Sequence, residues 1–304
     1  MIKEVLEKTE ALEEKIQALL AEEEKTEEIK VLQEEKKKLL DSCKDLEPGD
    51  RVFLARHPRR PHVEDFVSAL FTDFFEQKGD HLYDEDRSIY GGIARFHGRP
   101  VTVLGHRKGR TVEENLSCNF GMTCPEGYRK AKRLMEQAEK FDRPIITFVD
   151  TPGAYPGLEA EQHGQGEAIA KNLAFMSSLH VPVIAVVTGE GSSGGALGIC
   201  VANKILMLEN AIYSVLSPEG FATILWKDSS RAAEAAKVMK LTAKDLKEAN
   251  VADKVVPESL GGAQDDPESL YKALDQILEK ALAYYEGMSR HEIRKDRLSK
   301  FRNI

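Results

Sequence analysis

Apolar residues form two long runs in the middle of the chain, and each run ends in a glycine-rich turn. Residues 143–150 (RPIITFVD) are followed by TPGAYPG, and residues 181–187 (VPVIAVV) are followed by TGEGSSGG. Runs that are nearly continuous in apolar and β-branched residues are typical of strands covered on both faces. The pattern therefore predicts two buried strands whose ends present bare backbone N–H groups, as an anion or oxyanion site requires.

The residues around these runs alternate between helical and strand patterns. Helical spacing covers residues 63–75, 128–141, 164–179, 232–250 and 267–285, and a short helix is expected to start at Ala196. Strand patterns cover residues 93–96, 101–105, 204–208 and 211–216. This steady order of strand, turn and helix predicts an α/β fold.

The first 40 residues differ from the rest, because they hold eight Lys and twelve Glu but no Gly or Pro. Apolar residues recur at helical spacing on both sides of a polar stretch at residues 22–28, which predicts a helical hairpin or one long helix. The apolar stripe is too narrow for independent stability, so it should pack on a partner helix or on the main domain. Pro48 and Gly49 mark a boundary between a helical arm used in assembly, residues 1–48, and a main domain, residues 49–304.

Composition limits the classes of function. The chain has 304 residues, 41% of them hydrophobic, and a formal net charge of −8, which gives no support for nucleic-acid binding. Its four cysteines form no C-x-x-C pair, so neither a zinc site nor a disulfide framework is indicated. No apolar run reaches 18 residues, so we expect no membrane span or signal peptide, and a cytoplasmic setting is the simplest interpretation. Residues 290–302 are basic and are expected to form a solvated or interface tail.

The second glycine turn matches two short patterns at once. Gly189, Gly191 and Gly194 spell the dinucleotide fingerprint G-x-G-x-x-G, with Glu209 at the distance of a ribose-binding acid, which would indicate a nicotinamide-dependent oxidoreductase. The turn also spells G-x-S-x-G around Ser193, the nucleophile elbow of serine hydrolases.

A serine hydrolase also requires a histidine. After Ser193 the sequence has only His291, within the basic tail, and upstream partners such as His163 or His180 remain open. A third interpretation is that Ser192 and Ser193 are simply small residues in a tight turn.

Longer blocks of sequence point to one family. They are LARHP at 54–58, GGIAR at 91–95, GHRKGR at 105–110, NFGM at 119–122, DTPGAYPG at 150–157, the turn at 189–196, SPEG at 217–220 and ILWK at 224–227. In sequence and order, from residue 54 to about residue 262, this set resembles the α subunits of the carboxyltransferase component of bacterial acetyl-CoA carboxylase. The resemblance implies a crotonase-like fold, a spiral of strand-strand-helix units. One departure is Ser192, where the family is expected to have glycine; serine would strain the turn if φ there is positive.

The resemblance also implies a reaction and its participants. A carboxyl group would pass from carboxybiotin, presented by a biotin carboxyl carrier protein, to acetyl-CoA, giving malonyl-CoA in the first committed step of fatty acid biosynthesis. A β subunit would hold acetyl-CoA in an α2β2 assembly, and a separate biotin carboxylase would consume ATP. Carboxyl transfer to another acyl-CoA remains an alternative.

Four residues are candidates for the site on this basis. The N–H groups of Gly194 and Gly195 would stabilise the biotin oxyanion, and Gly153 would shape the neighbouring wall. Arg110 would bind the carboxylate of carboxybiotin through its guanidinium fork, although it could equally be a surface arginine in a basic loop. Other polar residues near the turns are expected to be structural or weaker candidates: Glu190, Glu209, Tyr155, His106 and His163.

Overall fold

A mixed β-sheet organises the chain in the computed structural model, which describes residues 2–21 and 26–304. Its strands are β1 (Thr72–Glu76), β2 (Ile89–Phe96), β3 (Arg99–His106), β4 (Ile145–Thr151), β5 (Val183–Ser192), β6 (Lys204–Leu208), β7 (Ile212–Ser214) and β8 (Lys254–Val256). Their order across the sheet is β1-β2-β3-β4-β5-β6-β8, with β7 also pairing with β5. The β1–β2 and β2–β3 pairs are antiparallel, and all other pairs are parallel.

Fourteen α-helices occur within the described residues. They are α1 (Ile2–Ala21), α2 (Thr26–Asp41), α3 (Pro48–Ala55), α4 (Val63–Leu70), α5 (Val112–Ser117), α6 (Pro125–Lys140), α7 (Leu158–Gln162), α8 (Gln165–Ser178), α9 (Ser193–Leu197), α10 (Pro218–Trp226), α11 (Ala232–Met239), α12 (Ala243–Glu248), α13 (Pro267–Ala283) and α14 (Arg290–Arg302). None of them is both long and apolar enough to cross a lipid bilayer.

The two central strands have the character that the apolar runs predict. Every residue of β4 and β5 is buried, which confirms that both strands are covered on both faces. Helices α6 and α8 pack against each other, and α13 contributes four buried leucines to the same core, Leu270, Leu274, Leu278 and Leu282. The predicted strand pair in β2 and β3 and the predicted helices α6, α8 and α13 are also confirmed.

The N-terminal segment forms two helices that pack side by side rather than one long helix. Leu6 of α1 and Leu40 of α2 share a small apolar cluster with Leu54 of α3, and Lys36 forms an ion pair with Glu13 at 3.0 Å. The helices therefore run antiparallel and also contact the main part of the chain. Most of the predicted polar stretch between them, residues 22–25, lies outside the described residues. The division at residue 48 stays a prediction.

Several sequence-based expectations need correction. The helix expected over residues 63–75 ends at Leu70, because Phe71 adopts an extended conformation and the next residues pair with β2 as β1. The helix expected over residues 232–250 is two helices, since Lys240 has φ 53° and the carbonyl of Leu241 accepts a hydrogen bond from Tyr213. Helix α10 was not expected from helical spacing; it begins at a Ser217 cap followed by Pro218.

The basic C-terminal stretch is also more than a solvated tail, because α14 packs on the domain through a fully buried arginine. The Arg297 guanidinium donates hydrogen bonds to the carbonyls of Met176, Leu179 and Val181 at 3.0, 2.6 and 2.7 Å, and to the side chain of Asn203. These carbonyls lie at and just beyond the carboxyl end of α8, where a helix leaves acceptors unpaired and carries partial negative charge. Burial lowers the pKa of Arg297 to about 10, so this side chain is still charged at neutral pH.

Candidate active site

The two glycine turns lie together at one edge of the sheet. Strands β3, β4 and β5 are parallel to one another, so the loops that follow them leave from the same edge. Thr151 at the end of β4 pairs with Gly191 at the end of β5, which places the turn after β4 beside the turn after β5. In open α/β sheets this carboxyl edge is where ligands bind.

The second glycine-rich segment, residues 188–195, is not a separate turn: its first five residues continue β5 to Ser192, and its last three begin the short helix α9. The helix expected to start at Ala196 therefore starts at Ser193. We call this junction of β5 and α9 the second turn. Ser192 has φ −113°, an ordinary extended conformation, so the serine found in place of the expected glycine is not strained. The positive φ, 55°, belongs to Ser193, which is exposed. The Ser192 side chain does not cap the helix, and among residues 2–21 and 26–304 we find no acceptor for the N–H groups of Gly194 and Gly195. The turn thus presents two donors that can bind an anion.

Gly195 is in direct contact with the first glycine turn. A Cβ atom added to Gly195 would lie 2.4 Å from the carbonyl carbon of Gly153 and 2.6 Å from the nitrogen of Ala154, which is too close for any side chain. Gly194 is different, because a Cβ there would meet only Ile169, at 3.6 Å. Gly153 itself has φ +148° and open space around it. The structure therefore brings together three of the four candidate residues.

Hydrogen bonds hold the first turn in place. The Thr151 hydroxyl donates to the carbonyl of Gly121 at 2.6 Å and accepts from the N–H of Gly153 at 3.1 Å. The amide of Gln165 donates to the carbonyls of Thr123 and Tyr155 at 2.8 and 3.0 Å. These contacts fix the backbone of the wall opposite Gly195.

His106, the last residue of β3, lies buried beneath the second turn. Burial lowers the pKa of His106 to about 4, so the ring is neutral at physiological pH. The ring lies near the carbonyl of Gly195, which also accepts a hydrogen bond from the Tyr128 hydroxyl at 3.3 Å. Both ring nitrogens of His106 are buried, and within residues 2–21 and 26–304 neither of them has a hydrogen-bond partner.

A partly buried ion pair crosses the same edge and was missed by sequence reasoning. Lys108 contacts the carboxylate of Asp150 at 2.6 Å, and the same carboxylate oxygen accepts a hydrogen bond from the N–H of Glu190 at 2.9 Å. Burial alone would raise the pKa of Asp150, but Lys108 and the Glu190 N–H outweigh it and lower that pKa. An aspartate near the end of a nearly continuous apolar run was the available signal, because such a charge needs a partner.

Arg110 lies in the loop after β3 and does not contact the two glycine turns. Its side chain is 58% exposed, and its guanidinium forms an ion pair with Asp65 at 2.5 Å. It lines a cleft of about 190 Å³ together with Lys108 and Asp150. A ligand carboxylate in this cleft would have to compete with Asp65 for the guanidinium.

The geometry gives no support to a hydrolase triad. His163 pairs with Glu126 at 3.0 Å and His180 with Glu139 at 2.9 Å, so each of these histidines has a partner other than Ser193. His291 lies in α14.

The dinucleotide interpretation requires Glu209 as the ribose-binding acid, but this side chain has a structural contact. The carboxylate of Glu209 accepts a hydrogen bond from the N–H of Glu258 at 3.1 Å, which is a structural role at the end of β6.

Comparison with known structures identifies the fold. Transcarboxylase 12S, described as a hexamer assembly, aligns with 74% of this chain and 42% of its own, with a TM-score of 0.59 and 20% identity, so this chain spans less than half of that one. A Pseudomonas malonate decarboxylase hetero-tetramer in complex with coenzyme A aligns with 69% of this chain and 84% of its own, with a TM-score of 0.57 and 20% identity. The expected crotonase-like fold is thereby confirmed.

Sequence comparison identifies the family. The family described as acetyl co-enzyme A carboxylase carboxyltransferase-like matches residues 2–304. The acetyl-coenzyme A carboxylase carboxyl transferase subunit alpha of Clostridium acetobutylicum is 54% identical over 265 residues, which cover 87% of this chain and 97% of that protein. The protein of the same name from Bacillus subtilis is 53% identical over 278 residues, covering 91% and 86%. The oxidoreductase and hydrolase interpretations find no support in these relatives, and the chain belongs to the family of acetyl-CoA carboxylase carboxyltransferase α subunits.

Proposed function

We propose that this chain is the α subunit of a biotin-dependent carboxyltransferase, which moves a carboxyl group from carboxybiotin to acetyl-CoA and forms malonyl-CoA. The observation that carries the proposal is the pair of N–H donors on Gly194 and Gly195, in a chain 54% identical to a named α subunit. Formation of malonyl-CoA by the purified assembly, followed by mass spectrometry, tests it directly.

The donors suit the chemistry of the transfer. The bond between N1′ of biotin and the carboxyl carbon breaks, and negative charge develops on the ureido oxygen of biotin. A new carbon–carbon bond then forms at the methyl carbon of acetyl-CoA, whose thioester oxygen passes through an enolate. The methyl proton goes to the biotin nitrogen, so this chain need not supply a general base. Two preorganised N–H groups at Gly194 and Gly195 would stabilise the ureido oxyanion without reorganisation.

The remaining participants belong to other chains in this proposal. A β subunit would supply the acetyl-CoA side in an α2β2 assembly, a biotin carboxyl carrier protein would deliver carboxybiotin, and a biotin carboxylase would load the carrier with ATP. Two observations support a partner: malonate decarboxylase, which shares the fold, is a hetero-tetramer, and large apolar side chains stand exposed beyond β3 and β4. These side chains are Val112, Leu116, Phe120 and Leu158. Another acyl-CoA as acceptor remains the alternative.

The first expected outcome is that activity requires the partner. The purified chain alone should convert acetyl-CoA and free carboxybiotin only at the background rate, whereas the mixture with its β subunit should form malonyl-CoA. An isolated chain that matched the rate of the mixture would show that the second half of the site is not needed.

The second expected outcome concerns Arg110. Arg110→Lys keeps the charge but loses the two parallel hydrogen bonds, so carboxyl transfer should slow about tenfold, the equivalent of one net hydrogen bond. The matched variant is Arg107→Ala, because Arg107 stacks on Tyr90 at 4.6 Å and forms an ion pair with Glu64. Steady-state rates that are normal in Arg110→Lys and reduced in Arg107→Ala would assign the carboxylate to Arg107 instead.

A further inference from the structure

Arg56 binds two carboxylates at once. It caps the carboxyl end of α3, and its guanidinium contacts Glu190 through Nε at 3.0 Å and Nη2 at 2.6 Å. The same group contacts Glu219 through Nη1 at 2.8 Å and Nη2 at 3.3 Å. Both contacts are bidentate, the geometry in which an arginine binds a carboxylate most strongly.

One of these two carboxylates belongs to the second glycine-rich segment itself, and the other belongs to α10. Glu190 is in β5, four residues before Gly194, and its side chain is only 5% exposed. Glu219 is in the first turn of α10. Arg56 therefore joins three elements, α3, β5 and α10, and one of its partners, Glu190, lies in the same glycine-rich segment as the N–H donors.

The charge balance at this edge depends on Arg56. Two cations, Arg56 and Lys108, face three carboxylates, Asp150, Glu190 and Glu219, which gives the cluster a formal net charge of −1 (2 − 3). Without Arg56 the charge would be −2, and the carboxylate of Glu190 would be buried with no cation. Such a charge opposes any further negative charge nearby, and low-dielectric surroundings strengthen that repulsion.

We propose that Arg56 is a positioning residue for carboxyl transfer, which compensates the carboxylate of Glu190 so that the N–H donors of Gly194 and Gly195 can stabilise an oxyanion. This inference rests on the proposed function. Arg56 does not touch the substrate in this proposal; it acts through Glu190.

The test uses the assembled enzyme, with biotin carboxylated on its carrier protein, and four variants. They are Arg56→Gln, Arg56→Lys, the double variant Arg56→Gln/Glu190→Gln, and Arg51→Gln as the matched control. Arg51 lies on the same helix, but its side chain contacts the carbonyl of Glu209 and the side chain of Asn210 instead of the turn. Thermal unfolding and gel filtration first establish that each variant is folded and assembled at the assay temperature.

Arg56→Gln should lower kcat roughly tenfold, because the uncompensated carboxylate of Glu190 opposes the negative charge that develops on the oxyanion. Its KM for acetyl-CoA should not change, because that substrate lies on the partner's side. Arg56→Lys should recover part of the rate, and the double variant most of it, since removing the carboxylate removes the repulsion. The Arg51→Gln control should transfer carboxyl groups at the wild-type rate.

Three results would overturn the inference: a wild-type kcat in Arg56→Gln, a double variant as slow as the single one, or an equal loss in the Arg51→Gln control. The second would mean that Arg56 holds the elements together without acting through charge. If the wild-type assembly forms no malonyl-CoA, the proposed function itself fails, which is distinguishable because every variant is measured against that rate.

Discussion

Replacing Gly195 by alanine should reduce carboxyl transfer by about a hundredfold or more, the scale of losing one oxyanion donor. The new Cβ would lie 2.4 Å from the carbonyl carbon of Gly153 and 2.6 Å from the nitrogen of Ala154. Both of these atoms belong to the backbone, so neither can rotate away. The two turns must separate, which moves the N–H of Gly195 out of line with the oxyanion. The rate of malonyl-CoA formation by the assembled enzyme measures the loss.

Two control variants separate this effect from general damage. Gly166→Ala introduces the same methyl group into α8, where nothing lies within 4 Å of the added atom, and should leave the rate unchanged. Ser193→Ala removes a hydroxyl that the proposed mechanism does not use, so its effect should be mild. A folded, assembled Gly195→Ala enzyme with normal transfer would remove the oxyanion assignment, and an inactive Ser193→Ala would revive the nucleophile interpretation.

The largest effect on stability is expected at Arg60. Its guanidinium is 2% exposed and contacts Glu258, whose carboxylate is fully buried, through Nη1 at 3.0 Å and Nη2 at 2.5 Å. Arg60→Met leaves that carboxylate without its cation and should cost about 3–5 kcal/mol of unfolding free energy. The double variant Arg60→Met/Glu258→Leu should regain most of this, as measured by denaturant unfolding. If Arg60→Met is as stable as wild type, water must reach and solvate the carboxylate of Glu258.

The pair of Arg60 and Glu258 should also make the stability of the fold depend on pH. Burial alone would raise the pKa of Glu258, but Arg60 and Asn210 outweigh it and hold the pKa below its usual value. A lowered pKa contributes stability above the unfolded-state value, about 4.3, and that contribution is lost as the pH falls through the folded-state value. Wild type should therefore lose more stability on acidification than the double variant, which lacks the carboxylate.

The two central strands could be predicted from sequence because their signals are local. The end of β5 could not, because residues 190–192 continue the strand by pairing with β4 and β7. An apolar run such as residues 181–187 identifies a buried strand without reference to the rest of the chain. The contact between Gly153 and Gly195 required the fold, because only parallel pairing of β4 and β5 brings the two turns together. The break at Lys240 and the early end of α4 at Leu70 are also set by pairing with distant strands, which helical spacing does not reveal.

The charged pairs could not be predicted for the same reason. Arg56 and Glu190 are 134 positions apart, and Arg60 and Glu258 are 198 positions apart. In the sequence each of these residues looks like one of many surface charges. What identifies them is the burial of the carboxylates of Glu190 and Glu258, and burial is a property of the folded chain.

The contacts of Arg297 have a consequence for the order in which the molecule folds. Its hydrogen bonds reach back between 94 and 121 positions, to acceptors in and beyond α8. Contacts of such long range close large loops and are expected to form late. Before α14 packs against the domain, water must donate hydrogen bonds to the carbonyls of Met176, Leu179 and Val181. The edge of the core beside α8 is then exposed to solvent. A chain at that stage would expose apolar surface, and it is the species on which a chaperone or a protease would act.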